Sequence, residues 1–224
     1  MKLILIIVVV LAVIEIVGIL WLFLSVNNYK HFWQAKAKSS GQLTYLAFGD
    51  SAAQGIGATS PMRGYVGLVA KQLTAKTGKS VRVINLSVTG AKIEDVINNQ
   101  LPQAKSIKAD VVTIEIGAND IRSFDPVTFS KSFSTLLKEL PAGSYVSNMP
   151  LFNSRPGSTQ PAKDASKIVE HELKGTSMHF VDLQKQTTEH QSIFGFAPDL
   201  FHPNNLSYKN WYQAFWNEID KNVH

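Results

Sequence analysis

Leu43-Thr44-Tyr45-Leu46-Ala47-Phe48-Gly49-Asp50-Ser51 is the stretch from which the fold is read. Its first six residues have the length and apolarity of a buried strand, and Gly49 opens a turn at its end. A serine at the C-terminal end of a strand stands where open α/β sheets bind ligands. Three more polar clusters follow later apolar runs. They are Asn85-Leu86-Ser87-Val88-Thr89-Gly90, Gly117-Ala118-Asn119-Asp120 and Asp199-Leu200-Phe201-His202.

Outward from that stretch, strand and helix patterns alternate. Strands are expected at 43–48, 81–85, 111–116, 145–147 and 178–181. Helical spacing is expected at 65–77, ending at Gly78, and at 92–101, stopped by Pro102. Further helices fall at 129–140, between Pro126 and Pro141, and at 162–173, after a Ser/Gly/Pro loop at 153–160. Asn205 or Ser207 suits the cap of a final helix. Its Trp211, Tyr212, Phe215, Trp216 and Ile219 share a face, which reads as core. Five strands separated by helices imply a parallel sheet covered on both faces. The expected architecture is a flavodoxin-like three-layer α/β/α sandwich of strand order 2-1-3-4-5, with its site at the switch beside the first strand.

Residues 3–24 are nearly all aliphatic, with Glu15 the only charge. Twenty-two residues at about 1.5 Å each span roughly 33 Å, enough to cross a hydrocarbon core. The apolar gain outweighs the cost of one carboxylate, on the order of 3 kcal/mol. A cleaved signal peptide is the rival. However, the run exceeds a usual apolar region of about 7–15 residues. The nearby small-x-small site, Ala35-Lys36-Ala37, lies well past Leu24. The expectation is an uncleaved transmembrane anchor over 1–26, a polar, basic linker over 27–42 and one domain over 43–224. Trp21, Tyr29 and Trp33 suit an interfacial belt.

Net charge is +5, but the lysines are scattered, which argues against a nucleic-acid partner. There is no cysteine, so disulfides, zinc–thiolate sites and a thiol nucleophile are excluded. No metal or cofactor is expected.

Ser51 suits a nucleophile, although a helix N-cap serine looks the same in sequence. His202 suits a general base; the plain alternative is a loop histidine before Pro203. Asp199 can bond the other ring nitrogen, fixing the tautomer and stabilising the imidazolium. The Ser51 amide, the Gly90 amide and the Asn119 side chain are candidate oxyanion donors. Gly90 and Asn119 are equally ordinary turn formers. Asp50 and Asp120 suit loop bracing. The order Ser, Asp, His occurs in α/β-hydrolases, but the chain has no Gly-x-Ser-x-Gly elbow.

Gly49-Asp50-Ser51, Gly90, Gly117-Ala118-Asn119-Asp120 and Asp199-Leu200-Phe201-His202 resemble, in order, the four motif blocks of the SGNH (GDSL) hydrolase family. The resemblance covers about residues 43–220. It implies a flavodoxin-like fold and a Ser51, Asp199, His202 triad. It further implies Ser51, Gly90 and Asn119 around the oxyanion, and metal-free cleavage of lipid, sugar or small acyl esters. Ile56, Met62, Tyr65, Phe194, Phe196 and Phe201 lie near the motifs and suit either an acyl pocket or loop anchoring. The expected activity is ester hydrolysis through an acyl-enzyme at Ser51. The rivals are an O-acetyl esterase or acyltransferase on wall polysaccharide, a lysophospholipase, and a non-catalytic anchored glycan-binding or scaffold protein.

Lys30, Lys36 and Lys38 follow the apolar run and slightly favour a cytoplasmic domain. Long domains nevertheless translocate largely regardless of flanking charge. A single-pass cell-membrane protein with an extracytoplasmic domain is expected. Protease added to intact cells should then degrade the domain, and full protection would reverse the orientation.

Overall fold

The computed structural model describes residues 2–152 and 157–223. Its five strands are β1 (Leu43–Gly49), β2 (Val81–Asn85), β3 (Val111–Glu115), β4 (Tyr145–Ser147) and β5 (His179–Val181). All pair in parallel, in the order β2-β1-β3-β4-β5. This is the expected topology. β1 pairs with β2 on one edge and β3 on the other, so the chain reverses its winding direction beside Gly49 and Ser51.

Alternation along β1 explains the two helical layers. Leu46 and Phe48 point to one face, where they meet Phe129, Phe133 and Leu136 of α6 (Pro126–Glu139) and Ala165 and Val169 of α7 (Thr159–Leu173). Tyr45 and Ala47 point to the other, against α3 (Tyr65–Thr77) and α9 (Asn205–Ile219). The Tyr65 ring stacks on Phe215 with centroids 4.7 Å apart. Tyr45 reaches across the sheet to Thr113 Oγ1 at 2.8 Å, so its buried hydroxyl has a partner.

Several boundaries differ from expectation for identifiable reasons. Pro102 does not stop its helix. α4 (Ile93–Asp95) runs through a π-helical turn, Val96–Gln100, into α5 (Leu101–Ala104). Proline is tolerated there because it sits in the first turn of the new segment. Pro126 likewise lies inside α6 as its first residue, and Asp125 caps it by accepting from Thr128 N–H. α7 begins at Thr159, inside the stretch expected as loop; residues 153–156 of that stretch lie outside the described residues. α8 (Leu183–Glu189) carries too short an apolar pattern to read in advance. The cap of α9 is Asn204, rather than Asn205 or Ser207: its Oδ1 accepts from Leu206 and Ser207 N–H.

The largest difference is at the N-terminus. α1 is one helix, Lys2–Ala37, so the expected linker is helical as far as Ala37. The residues over 4–17 are exposed. Beyond them, Leu22, Ser25, Tyr29 and Trp33 form a buried stripe on one face. Tyr29 and Trp33 therefore do not form an interfacial belt. The Tyr29 hydroxyl donates to Ala58 O at 2.6 Å, and Trp33 Nε1 donates to Gln54 O at 2.9 Å. Gly18 lets α1 approach Pro198: a Cβ there would lie 2.6 Å from its Cγ.

Trp33 is 2% exposed. Trp33→Ala should therefore cost about 3–5 kcal/mol by denaturant unfolding of the full chain. A loss below about 1 kcal/mol, the range of an ordinary surface substitution, would mean that α1 does not dock.

Candidate active site

β1 delivers Gly49, Asp50 and Ser51 to the C-terminal end of the sheet, and Ser51 begins the short helix α2 (Ser51–Gln54). Asp50 caps it, its Oδ1 accepting from Ala52 N–H at 2.9 Å. The Ser51 amide is thus one of the N-terminal N–H groups that a helix leaves unpaired. The turn is clamped from outside by Gln100, which is fully buried. Its Oε1 accepts from Gly49 N–H at 3.0 Å, and its Nε2 donates to Gly49 O at 2.8 Å. One side-chain amide satisfies both backbone groups of Gly49, as a neighbouring strand would.

His202 reaches this turn from 151 residues away. Its Nε2 lies 2.9 Å from Ser51 Oγ, and its Nδ1 lies 2.5 Å from Asp199 Oδ2. Asp199 Oδ1 also accepts from the N–H groups of Phe201 and His202. The tight fold of the Asp199–His202 turn places Leu200 at φ +54°, a conformation disfavoured for a branched, bulky residue. Burial raises the Asp199 carboxyl, but the His202 hydrogen bond and charge, with the two N–H donors, outweigh it and hold it near 2. Gly57 makes room for this loop. At φ +94°, a side chain there would be strained, and its Cβ would lie 2.3 Å from Pro203 O and 2.9 Å from His202 Cβ. Asn204 fastens the loop's two limbs, its Nδ2 donating to Phe194 O and Phe196 O.

The expected oxyanion donors lie on loops tied to the Ser51 turn. Asn119 Nδ2 donates to Asp50 Oδ2 and to Ala91 O, both at 3.0 Å. Facing an oxyanion requires it to exchange one of these bonds. Gly90 lies exposed on a turn whose Val88 N–H donates to Gly49 O. Thr89 N–H donates to Gln54 Oε1, and Gln54 Nε2 donates to Ser87 O. Gly117 O accepts from Asp120 and Ile121 N–H, closing the turn that carries Asn119. Asp120 braces the neighbouring helix by accepting from Ile93 N–H at 3.3 Å. Gln54 and Gln100 were not legible as site residues. The one available signal was a glutamine beside apolar residues that the fold buries.

The cleft beside Ser51 and His202 encloses about 70 Å³ and opens to solvent. Phe196 and Phe201 line it, joined by Leu151, Phe152 and Trp211. The other expected pocket residues lie elsewhere. Ile56 packs against Leu22, Tyr29 and Ala197; Tyr65 and Met62 belong to the core under α9; Phe194 is 76% exposed. The first three are drawn inward by helix packing that the loop motifs do not reveal. Among the described residues, no group of three or more His, Cys, Asp or Glu converges as a metal site.

The model of the GDSL-like lipase/acylhydrolase family matches residues 47–209. The chain belongs to this family. It is a carboxylic ester hydrolase of SGNH type. No curated protein matches the sequence. Among solved structures, the family fold recurs in the acetylxylan esterase Axe2 of Geobacillus stearothermophilus. That match has 22% identity and TM-score 0.62, covering 80% of this chain and 95% of that one. The psychrotrophic esterase EstA of Pseudoalteromonas sp. matches at 19% identity and TM-score 0.64, covering 80% and 97%. TesA matches at 21% and 0.67, covering 80% and 98%.

Behind the GDSL-like motif lie two more carboxyls. Burial raises Asp50 from its usual 3.8 to about 6. Burial, then the charge of Asp50, raises Glu115 well above the carboxylate range, and neither Glu115 oxygen has a partner among the described residues. The folded state therefore holds a proton on Asp50 between about pH 4 and 6 that the unfolded chain has released. Stability contributed by that proton is full below about 4 and lost as pH rises through 6. Asp120, also raised to about 6 by burial, adds to the slope. Asp50→Asn should flatten the fall in Tm between about pH 4 and 6.5. An unchanged slope would contradict a buried proton at Asp50.

Proposed function

We propose that this ester hydrolase works through Ser51 as nucleophile, His202 as general base and acid, and Asp199 as orienter. The observation that carries the reading is the continuous chain Ser51 Oγ–His202 Nε2, 2.9 Å, and His202 Nδ1–Asp199 Oδ2, 2.5 Å. Ser51 Oγ attacks the ester carbonyl as its proton passes to His202 Nε2. The imidazolium is stabilised by Asp199, which stays ionised. The Ser51 and Gly90 amides and Asn119 Nδ2 receive the oxyanion, each such donor contributing about 3–4 kcal/mol. The imidazolium then protonates the departing alcohol. Water, deprotonated by His202, cleaves the acyl-enzyme to release the acid.

α1 acts as an uncleaved membrane anchor with the domain extracytoplasmic. An apolar helix near an N-terminus also fits a signal peptide, but the docking of Tyr29 and Trp33 favours retention. Cleavage after Ala37 would strip the domain of both and expose Ile56 and Ala197. The apolar lining of the cleft supports lipid or small acyl esters. A second reading, deacetylation of wall polysaccharide, draws on the fold likeness to an acetylxylan esterase.

Ser51→Ala should abolish p-nitrophenyl acetate and butyrate hydrolysis in a protein of unchanged melting temperature, and retained activity would remove Ser51 from the mechanism. Asn119→Ala should lower kcat more than it raises KM. A purely KM effect would contradict its oxyanion role. Acyl-length profiling separates the two substrate readings: acetyl only for polysaccharide, longer chains for lipid.

A further inference from the structure

α1 runs antiparallel to the strands. Its C-terminal residue, Ala37, accepts from Arg82 Nε near the start of β2. Tyr29 and Trp33 meet Ala58 and Gln54, just beyond the end of β1. Gly18 meets Pro198, next to Asp199. The exposed apolar part of α1 therefore leaves the domain at the end of the sheet that carries Ser51 and His202.

Helix length then sets the depth. Residues 3–17, before the Pro198 contact, measure only about 22 Å, short of a hydrocarbon core of about 30 Å. Crossing the bilayer needs the next roughly 10 Å as well, residues 18–24. That stretch is flanked by Ala197 and Pro198, on the loop that presents His202.

The loop has the surface that such depth requires. Ile193, Phe194 and Leu200 are 84%, 76% and 61% exposed. Val88, after β2, and Leu206, in the first turn of α9, are exposed on neighbouring segments. The loop's one carboxylate, Asp199, is paired with His202. Apolar side chains this exposed mark an interaction surface, and the bilayer crossed by α1 is already beside it.

We propose that residues 193–200 form a membrane-docking loop. Ile193, Phe194 and Leu200 enter the headgroup–acyl boundary, and the Ser51 cleft opens onto the lipid surface. The substrate is then an acyl ester resident in the bilayer, entering past Phe196 and Phe201. Water cleaves it to a carboxylic acid, which returns to the membrane, and an alcohol. This rests on the reading of Ser51 as nucleophile and of α1 as anchor.

The absence of cysteine makes a direct test available. Ile193→Cys in the full chain is labelled with an NBD fluorophore and reconstituted into phosphatidylcholine–phosphatidylglycerol vesicles. Lys138→Cys, in the last turn of α6 at the opposite end of the sheet, is the reference. Blue-shifted emission, quenched by phospholipids with a doxyl group near the headgroup, is expected at 193 and not at 138. Water-like emission at 193 overturns the proposal. So does efficient 193–193 disulfide formation with emission unaffected by doxyl lipid, which would mean that a second copy covers the loop. In parallel, Ile193→Asp should lower hydrolysis of vesicle-borne p-nitrophenyl palmitate about tenfold and leave p-nitrophenyl acetate hydrolysis in detergent unchanged. Equal loss on both esters, or loss on neither, overturns the proposal. Lipid quenching at 193 in a protein that cleaves neither ester would leave the docking loop standing and remove the reading of Ser51.

Discussion

The contact between Ser51 Oγ and His202 Nε2 is the constraint around which this molecule is organised. Its partners lie 151 residues apart, and each is held from several directions. Ser51 is placed by a strand end, a helix start and the Gln100 clamp on Gly49. His202 is placed by Asp199, by the Ala197 N–H that donates to its carbonyl, and by the close approach that Gly57 permits. A shift of about 1 Å in such an arrangement costs orders of magnitude in rate. The density of bonds around two short loops follows from that demand.

Carboxyls of the same chemical type are shifted in opposite directions around this contact. Asp199 accepts from two N–H groups and pairs with His202, interactions that hold its carboxyl near 2. Burial raises Asp50 to about 6 and Glu115 well above the carboxylate range. Burial and donor count, rather than residue type, assign these roles.

The strand order and the meeting of Ser51, Asp199 and His202 were legible in the sequence. The strand order follows from short-range signals: apolar runs of strand length, and turns rich in Gly, Asn and Asp at their ends. The grouping of the three residues rests also on the resemblance of the four motif blocks to the SGNH family. Gln100 was not legible, because a glutamine inside a helix pattern gives no hint that it will face a backbone. The extension of α1 was hidden for a related reason. Residues 27–37 are polar in aggregate, while the stripe that matters, Leu22, Ser25, Tyr29 and Trp33, is one narrow face of a helix. Ile56 and Tyr65, expected near the acyl group, were taken by packing against α1 and α9.

α1 thereby has two physical roles. Its exposed portion together with residues 18–24 has the length and apolarity of a span, and its buried stripe packs beside the loops that carry Ser51 and His202. The central claim is that these loops make Ser51 a nucleophile. Reaction of the intact protein with a fluorophosphonate, followed by peptide mass mapping, tests it most directly. The account predicts a single adduct on Ser51, forming much more slowly in a folded His202→Gln variant. An adduct on another residue, or none at Ser51 in folded wild-type protein, would contradict it.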